Sequence, residues 1–211
     1  MGNGRVDGVA AMTLTFWFDV HSPWVYLAAH RIGDLARKHR LDLAWRPLHL
    51  PRLLDQINGV KPLEATPSRV AWFRQDIADW AEVQGLPLRS HPQYPLRNSR
   101  ALRACLLAAD EGKAEAFVTR LLKGYWAEAA DITDLDQLAR WGEEAGLDPQ
   151  AVREAAASDA FKQRIDGNTQ EAITRGVFGV PTVDTGTKRY FGNDRHDLLD
   201  MHISKVKASL A

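Results

Sequence analysis

One cysteine, Cys105, stands in a chain of 211 residues. A lone thiol excludes an intrachain disulfide and a redox dithiol, and it leaves thiolate metal clusters without ligands. Excess charge is missing as well: 27 basic residues balance 27 acidic ones, so no global field marks the chain for nucleic acid or an anionic membrane. No apolar run approaches the roughly 20 residues that a membrane-spanning helix needs. The opening MGNGRVDGVAA lacks the apolar core of a secretory signal. Residues 1–12 read as a disordered lead, with Met12 a candidate natural start. The seven histidines form no H-E-x-x-H or comparable ligand set, so no metal is expected. Neither a G-x-G-x-x-G stretch nor a P-loop is present. These absences leave a cytoplasmic protein with no nucleic-acid or membrane partner as the expectation.

What is there is organised. TLTFWFDV, residues 13–20, is rich in β-branched and aromatic residues and reads as a buried strand. From Pro23 the apolar residues Trp24, Leu27, Ala28, Ile32, Leu35 and Ala36 recur at helical spacing, with Ser22 placed as N-cap and Pro23 as first helical residue. LDLAWRPL, residues 41–48, reads as a second strand. Strand, helix, strand in so short a span predicts a βαβ unit with a parallel pair. PRLLDQINGVKPLEATP, residues 51–67, carries three prolines, a glycine and an asparagine and reads as mostly loop.

Helical patterns then run from Ser68 to Arg175, among them SRVAWFRQDIADWAEVQG with Val70, Phe73, Ile77, Trp80 and Ala81 on one face. The last of them, roughly 160–175, stops at Gly176. Two short strands follow around Pro181–Asp184 and Lys188–Phe191, and a closing helix is capped by Asn193 or Asp194. The order β-α-β, helical block, α-β-β-α predicts one α/β sheet split by a helical insertion. The expected division is residues 13–50 and 176–211 for the sheet domain, a bridging helix at about 160–175, and 51–159 for the insertion.

Four stretches, FDVHSPWVYLA, WRPLHLPRLLDQINGVKP, GVFGVPTV and YFGNDRHDLL, lie in order along residues 16–199. On these the chain resembles the 2-hydroxychromene-2-carboxylate isomerases and kappa-class glutathione transferases, a group with a DsbA-like thioredoxin fold. Two positions depart from the pattern: Val25 stands where a small hydroxyl residue is common, and Asp184 where a second apolar residue is. The resemblance implies a glutathione-dependent cis–trans isomerase that interconverts 2-hydroxychromene-2-carboxylate and trans-o-hydroxybenzylidenepyruvate in aromatic-hydrocarbon breakdown. It also implies a homodimer and a small aromatic substrate. The alternatives are a kappa-like transferase, which keeps the thioether, and a non-catalytic DsbA-like peptide binder.

Each candidate residue has two readings. In a disulfide enzyme of this fold, Ser22 and Val25 would be the cysteines of C-P-W-C. Ser22 is either a plain N-cap or a hydroxyl that donates to a glutathione thiolate at the helix N-terminus, where free amides and the helix dipole favour an anion. A Ser22 nucleophile with His21 as base lacks an orienting third group and a G-x-S-x-G elbow, so His21 reads as a loop residue near the cleft. The resemblance makes Pro181 cis and offers the Val180 backbone to an extended peptide such as glutathione. Asn193 and Asp194 either cap the last helix or take the γ-glutamyl carboxylate and ammonium. Asn58 is either an N-G turn residue or a glutathione contact. Cys105, Trp72, Trp80 and Trp126 read as core or cleft lining.

Overall fold

Leu14, Phe16, Trp17 and Phe18 are all fully buried, which puts β1 (Leu14–Phe18) inside the molecule with both faces covered. A tight turn closes from the Ser22 amide onto the Asp19 carbonyl at 3.1 Å. Helix α1 (Pro23–His39) opens there, with proline in its first turn, where the missing N–H is no loss. Arg37, Lys38 and His39 occupy its last turn, beside the negative end of the helix dipole, and Arg40 ends it with a left-handed φ of 52°. β2 (Leu43–Pro47) returns parallel to β1, so the βαβ unit forms as expected. The computed structural model describes residues 12–210. Of the lead read as disordered, residues 1–11 lie outside the described residues, and Met12 packs against the core.

The stretch 51–67 is more ordered than its composition suggests. It holds α2 (Leu50–Gln56) and a short 3-10 turn at Pro62–Glu64, before α3 (Pro67–Val83) begins. Its prolines sit at the starts of these elements rather than inside them, the one helical position where proline is tolerated. At α2 the imidazole Nδ1 of His49 also accepts from the Arg52 amide at 3.2 Å and so acts as N-cap.

Four helices follow: α4 (Ser99–Asp110), α5 (Ala114–Trp126), α6 (Leu135–Glu144) and α7 (Pro149–Ala157). Then α8 (Asp159–Thr174) leads back to the sheet. Asp134, Asp148 and Ser158 cap α6, α7 and α8 with their side chains. β3 (Thr182–Asp184) pairs antiparallel with β1, and β4 (Arg189–Phe191) pairs antiparallel with β3. The strand order β2-β1-β3-β4 makes β3 central. Asp184 at its end is tolerated because its carboxylate accepts from the Gly186 amide at 2.8 Å and has Arg175 at 3.8 Å.

The last helix, α9 (His196–Leu210), is entered through a 3-10 turn at Asn193–Arg195 whose N-cap is Gly192, with no side-chain cap. The expected capping by Asn193 or Asp194 is therefore absent, because both residues lie within the helical turn rather than before it. Helix α1 packs against α5 and against α9, so its N-terminus lies where the sheet and the helical block meet. No helix of the described residues is long and apolar enough to cross a membrane.

Candidate active site

Ser22 is buried at the N-cap of α1, but its hydroxyl caps no amide. It donates instead to the Val180 carbonyl oxygen at 3.4 Å, a long bond spanning most of the chain. Val180 precedes Pro181 through a cis peptide bond, as the resemblance implied. The Val180 amide donates to no acceptor among the described residues, while the Pro181 carbonyl is taken by the Gly192 amide at 2.9 Å. The fold thus brings together a helix N-terminus, a hydroxyl and a backbone segment with an uncommitted donor.

The other expected residues fall in different places. Asn193 is buried on the turn that packs against α1, and its side-chain nitrogen has no hydrogen-bond partner. A buried amide left unpaired is rare enough to ask for a ligand or a water. Asp194 is exposed, 3.4 Å from the Arg195 guanidinium. It borders a cavity of about 480 Å³ with His30, Arg31, Gln84 and His196. Asn58 is exposed in the turn after α2, with a left-handed φ of 52°, as the N-G reading requires. The seven residues of α2 separate it from the start of that helix by roughly 10 Å at 1.5 Å per residue.

Several site residues carry no obvious label in the sequence. Asp19 is fully buried beneath the turn. Its carboxylate accepts from the His21 amide at 2.9 Å, the Leu50 amide at 2.8 Å and the Asn98 side chain at 2.6 Å. An aspartate bonding an amide two residues on is the Asx-turn signature, legible in FD-x-x-SP once the turn is suspected. His21 does not reach into open space: its ring bonds the Leu96 carbonyl. Around it stand Tyr94, whose hydroxyl donates to the His21 carbonyl at 3.3 Å, and Tyr125, whose oxygen accepts from the Leu96 amide. Burial pushes both phenols up, Tyr125 to about 12, so both remain neutral near pH 7.

The tryptophans divide. Trp126 is core and donates to the Val20 carbonyl at 2.9 Å. Trp80 is half-buried, and Trp72 stands 56% exposed, contrary to a core or cleft role. Cys105 is fully buried and burial pushes its thiol up, which makes it inert. Val25 is fully buried and apolar, so it adds no second hydroxyl to that of Ser22. Phe178 and Phe191, 56% and 44% exposed, meet with ring centroids 4.7 Å apart and planes tilted by 52°, and form an aromatic rim on the Val180 loop that sequence reading missed.

A helix N-terminus facing a cis-proline loop, with serine at the start of that helix, defines a protein of the thioredoxin fold. The DSBA-like thioredoxin domain model matches residues 13–204. A 2-hydroxychromene-2-carboxylate isomerase from Pseudomonas putida is 31% identical over 92% of this chain and 96% of its own length. Another protein of that name, from Pseudomonas sp. strain C18, is 32% identical over 88% and 87%. A solved 2-hydroxychromene-2-carboxylate isomerase superposes with a TM-score of 0.84 at 28% identity, covering 95% of this chain and all of the other. The chain belongs to this isomerase family within the DsbA-like thioredoxin group. It is an isomerase.

Proposed function

We propose that the protein is a glutathione-dependent cis–trans isomerase acting on 2-hydroxychromene-2-carboxylate and its open-chain isomer, trans-o-hydroxybenzylidenepyruvate. The observation that carries this reading is Ser22 at the N-terminus of α1, its hydroxyl spent on no cap and turned to Val180. The residues present fit glutathione. Its cysteinyl backbone would pair with the uncommitted Val180 amide beside Pro181. Its γ-glutamyl end would satisfy the orphaned Asn193 nitrogen, with Asp194 available to the ammonium. Asn58, beyond the far end of α2, is kept as an outer contact.

Bound there, glutathione would supply a nucleophilic sulfur for reversible addition to a conjugated double bond. The protein's own residues prepare that chemistry. The helix dipole of α1, the Trp24 amide (which has no acceptor among the described residues) and the Ser22 hydroxyl lower the free energy of an anionic sulfur relative to the thiol, and each pKa unit so gained needs only about 1.4 kcal/mol. Phe178 and Phe191 offer an aromatic ligand an exposed, angled pair of rings on the loop that carries Val180. Conversion of the chromene followed by absorbance, with and without glutathione, tests the proposal. Full activity in glutathione-free buffer overturns it.

A further inference from the structure

Asp19, Val20 and His21, in the turn before α1, are each held by the segment between β2 and β3. Asn98 bonds Asp19, Trp126 bonds the Val20 carbonyl, and Tyr94 and Leu96 bond His21. The Asn98 contact stands apart from the rest. Asn98 occupies the N-cap of α4, a position where asparagine normally accepts from the helix's own amides, yet it makes no cap bond. Its side chain is buried and donates to Asp19 at 2.6 Å. The same carboxylate oxygen accepts the His21 amide, and its twin accepts the Leu50 amide. Asp19's three side-chain partners are neutral N–H groups, so the carboxylate sits buried with its charge spread over donors fixed in place. Removing one leaves that charge short of a partner and free to swing. The backbone that would follow it is the His21–Ser22 segment, because the Ser22 amide closes the turn on the Asp19 carbonyl at 3.1 Å.

We propose that Asn98 is a positioning residue for the isomerase: through Asp19 it sets the place of the Ser22 hydroxyl, and hence how strongly the site ionises a bound thiol. The inference rests on the glutathione reading above. Neither Asn98 nor Asp19 touches the reacting atoms in this account.

The test compares Asn98→Ala with Asn168→Ala. Asn168 is also a buried asparagine, whose side chain donates to the Pro47 carbonyl at 3.0 Å and accepts from the Arg46 guanidinium at 3.3 Å, on β2 and outside the turn. Two quantities are read: amide hydrogen exchange at His21 and Leu50 without ligand, and the pH midpoint of the ultraviolet thiolate band of enzyme-bound glutathione. Asn98→Ala is expected to speed exchange at both amides about tenfold and to move the thiolate midpoint upward by about one pH unit. Asn168→Ala should lower the melting temperature comparably and move neither. Unchanged exchange and midpoint in Asn98→Ala, or equal changes in both variants, overturn the inference. A wild-type protein with no thiolate band overturns the glutathione reading instead, and the exchange measurement, which needs no ligand, still judges the role of Asn98.

Discussion

The Ser22 hydroxyl lies 3.4 Å from the Val180 carbonyl oxygen, across 158 residues of sequence. A bond that long is weak by geometry, so the hydroxyl is available to a better acceptor. The carbonyl it faces belongs to the residue whose amide has no acceptor among the described residues. An anionic atom placed between α1 and the Val180–Pro181 segment would meet the hydroxyl and the positive end of the helix dipole together. This pairing, more than the presence of serine, separates the site from an ordinary helix start.

Ser22→Ala should therefore cost activity without costing stability. A serine that caps a helix contributes about 1 kcal/mol to folding, but this hydroxyl bonds no α1 amide, and the melting temperature should barely move. Turnover should fall by roughly tenfold to a hundredfold, the 1.5–3 kcal/mol of one charge-assisted hydrogen bond, with glutathione affinity much less affected. Steady-state kinetics alongside thermal melts decide it. A variant that melts early and turns over normally returns Ser22 to the role of a cap.

Glutathione should stabilise the fold. At 100 times its dissociation constant a ligand that binds only the native state adds about 2.7 kcal/mol. A rise in melting temperature with millimolar glutathione, and a smaller rise for Asn193→Ala, are expected. No shift and no calorimetric heat would remove the glutathione site altogether.

The sheet and the order of its elements were legible because hydrophobic periodicity and proline–glycine punctuation are local signals. The βαβ start, the split sheet and the helices around Cys105, Trp126 and Ala172 all follow from them. Helix α2 was not, since three prolines look alike whether they break helices or begin them. In the site, Ser22 and the Val180–Pro181 segment could be picked out by motif. Asp19 could be read only as an Asx-turn residue, and Asn98, Tyr94 and Tyr125 not at all, because their roles exist only once the helical block is packed against the turn. Asn98 even carries a misleading local signal, that of an N-cap it does not serve as. The aromatic rim of Phe178 and Phe191 joins a loop to an edge strand thirteen residues later by count of their numbers, beyond the reach of any periodicity.

Gly179 should be intolerant of a side chain. A Cβ there would lie 2.7 Å from the Phe191 ring, well inside contact distance. The ring or the loop must move, and the loop is braced by the Thr182 hydroxyl on the Gly179 carbonyl at 2.8 Å. Gly179→Ala is expected to destabilise by about 1–3 kcal/mol, as overpacking does, and to weaken glutathione binding through displacement of Val180. Chemical denaturation and calorimetry on the same variant measure both effects. Unaltered affinity would show that the rim and the Val180 segment are independent.

Stability should fall on mild acidification. Burial, aided by the Arg31 charge, holds the His196 imidazole below its ordinary pKa against smaller opposing contributions from the Asn193 backbone and Asp197. Burial and the Lys123 charge do the same at His30. Below about pH 6.5 the unfolded chain takes up protons that the folded chain refuses, so unfolding becomes easier until the depressed folded-state values are passed. Melting temperatures should be flat above about pH 7 and decline below about 6.5. His196→Gln should make that decline shallower, since the His196 Nε2 has no hydrogen-bond partner to lose. An identical slope in the variant would assign the acid sensitivity to other groups.

Catalytic outcome separates isomerase from transferase. If the borrowed sulfur adds and then leaves, glutathione is required but not consumed, and the product carries no sulfur. With glutathione limiting, product should exceed glutathione many times over, and mass spectrometry should find no thioether. Ser22 and the α1 helix dipole favour the anionic sulfur both before it attacks and after it leaves, so they serve either outcome equally. What favours release is the substrate: a double bond conjugated to a carbonyl takes up and expels a thiolate reversibly, whereas displacement of a leaving group does not reverse. A stalled reaction with one thioether per glutathione would place the chain with the transferases and leave Ser22 its role.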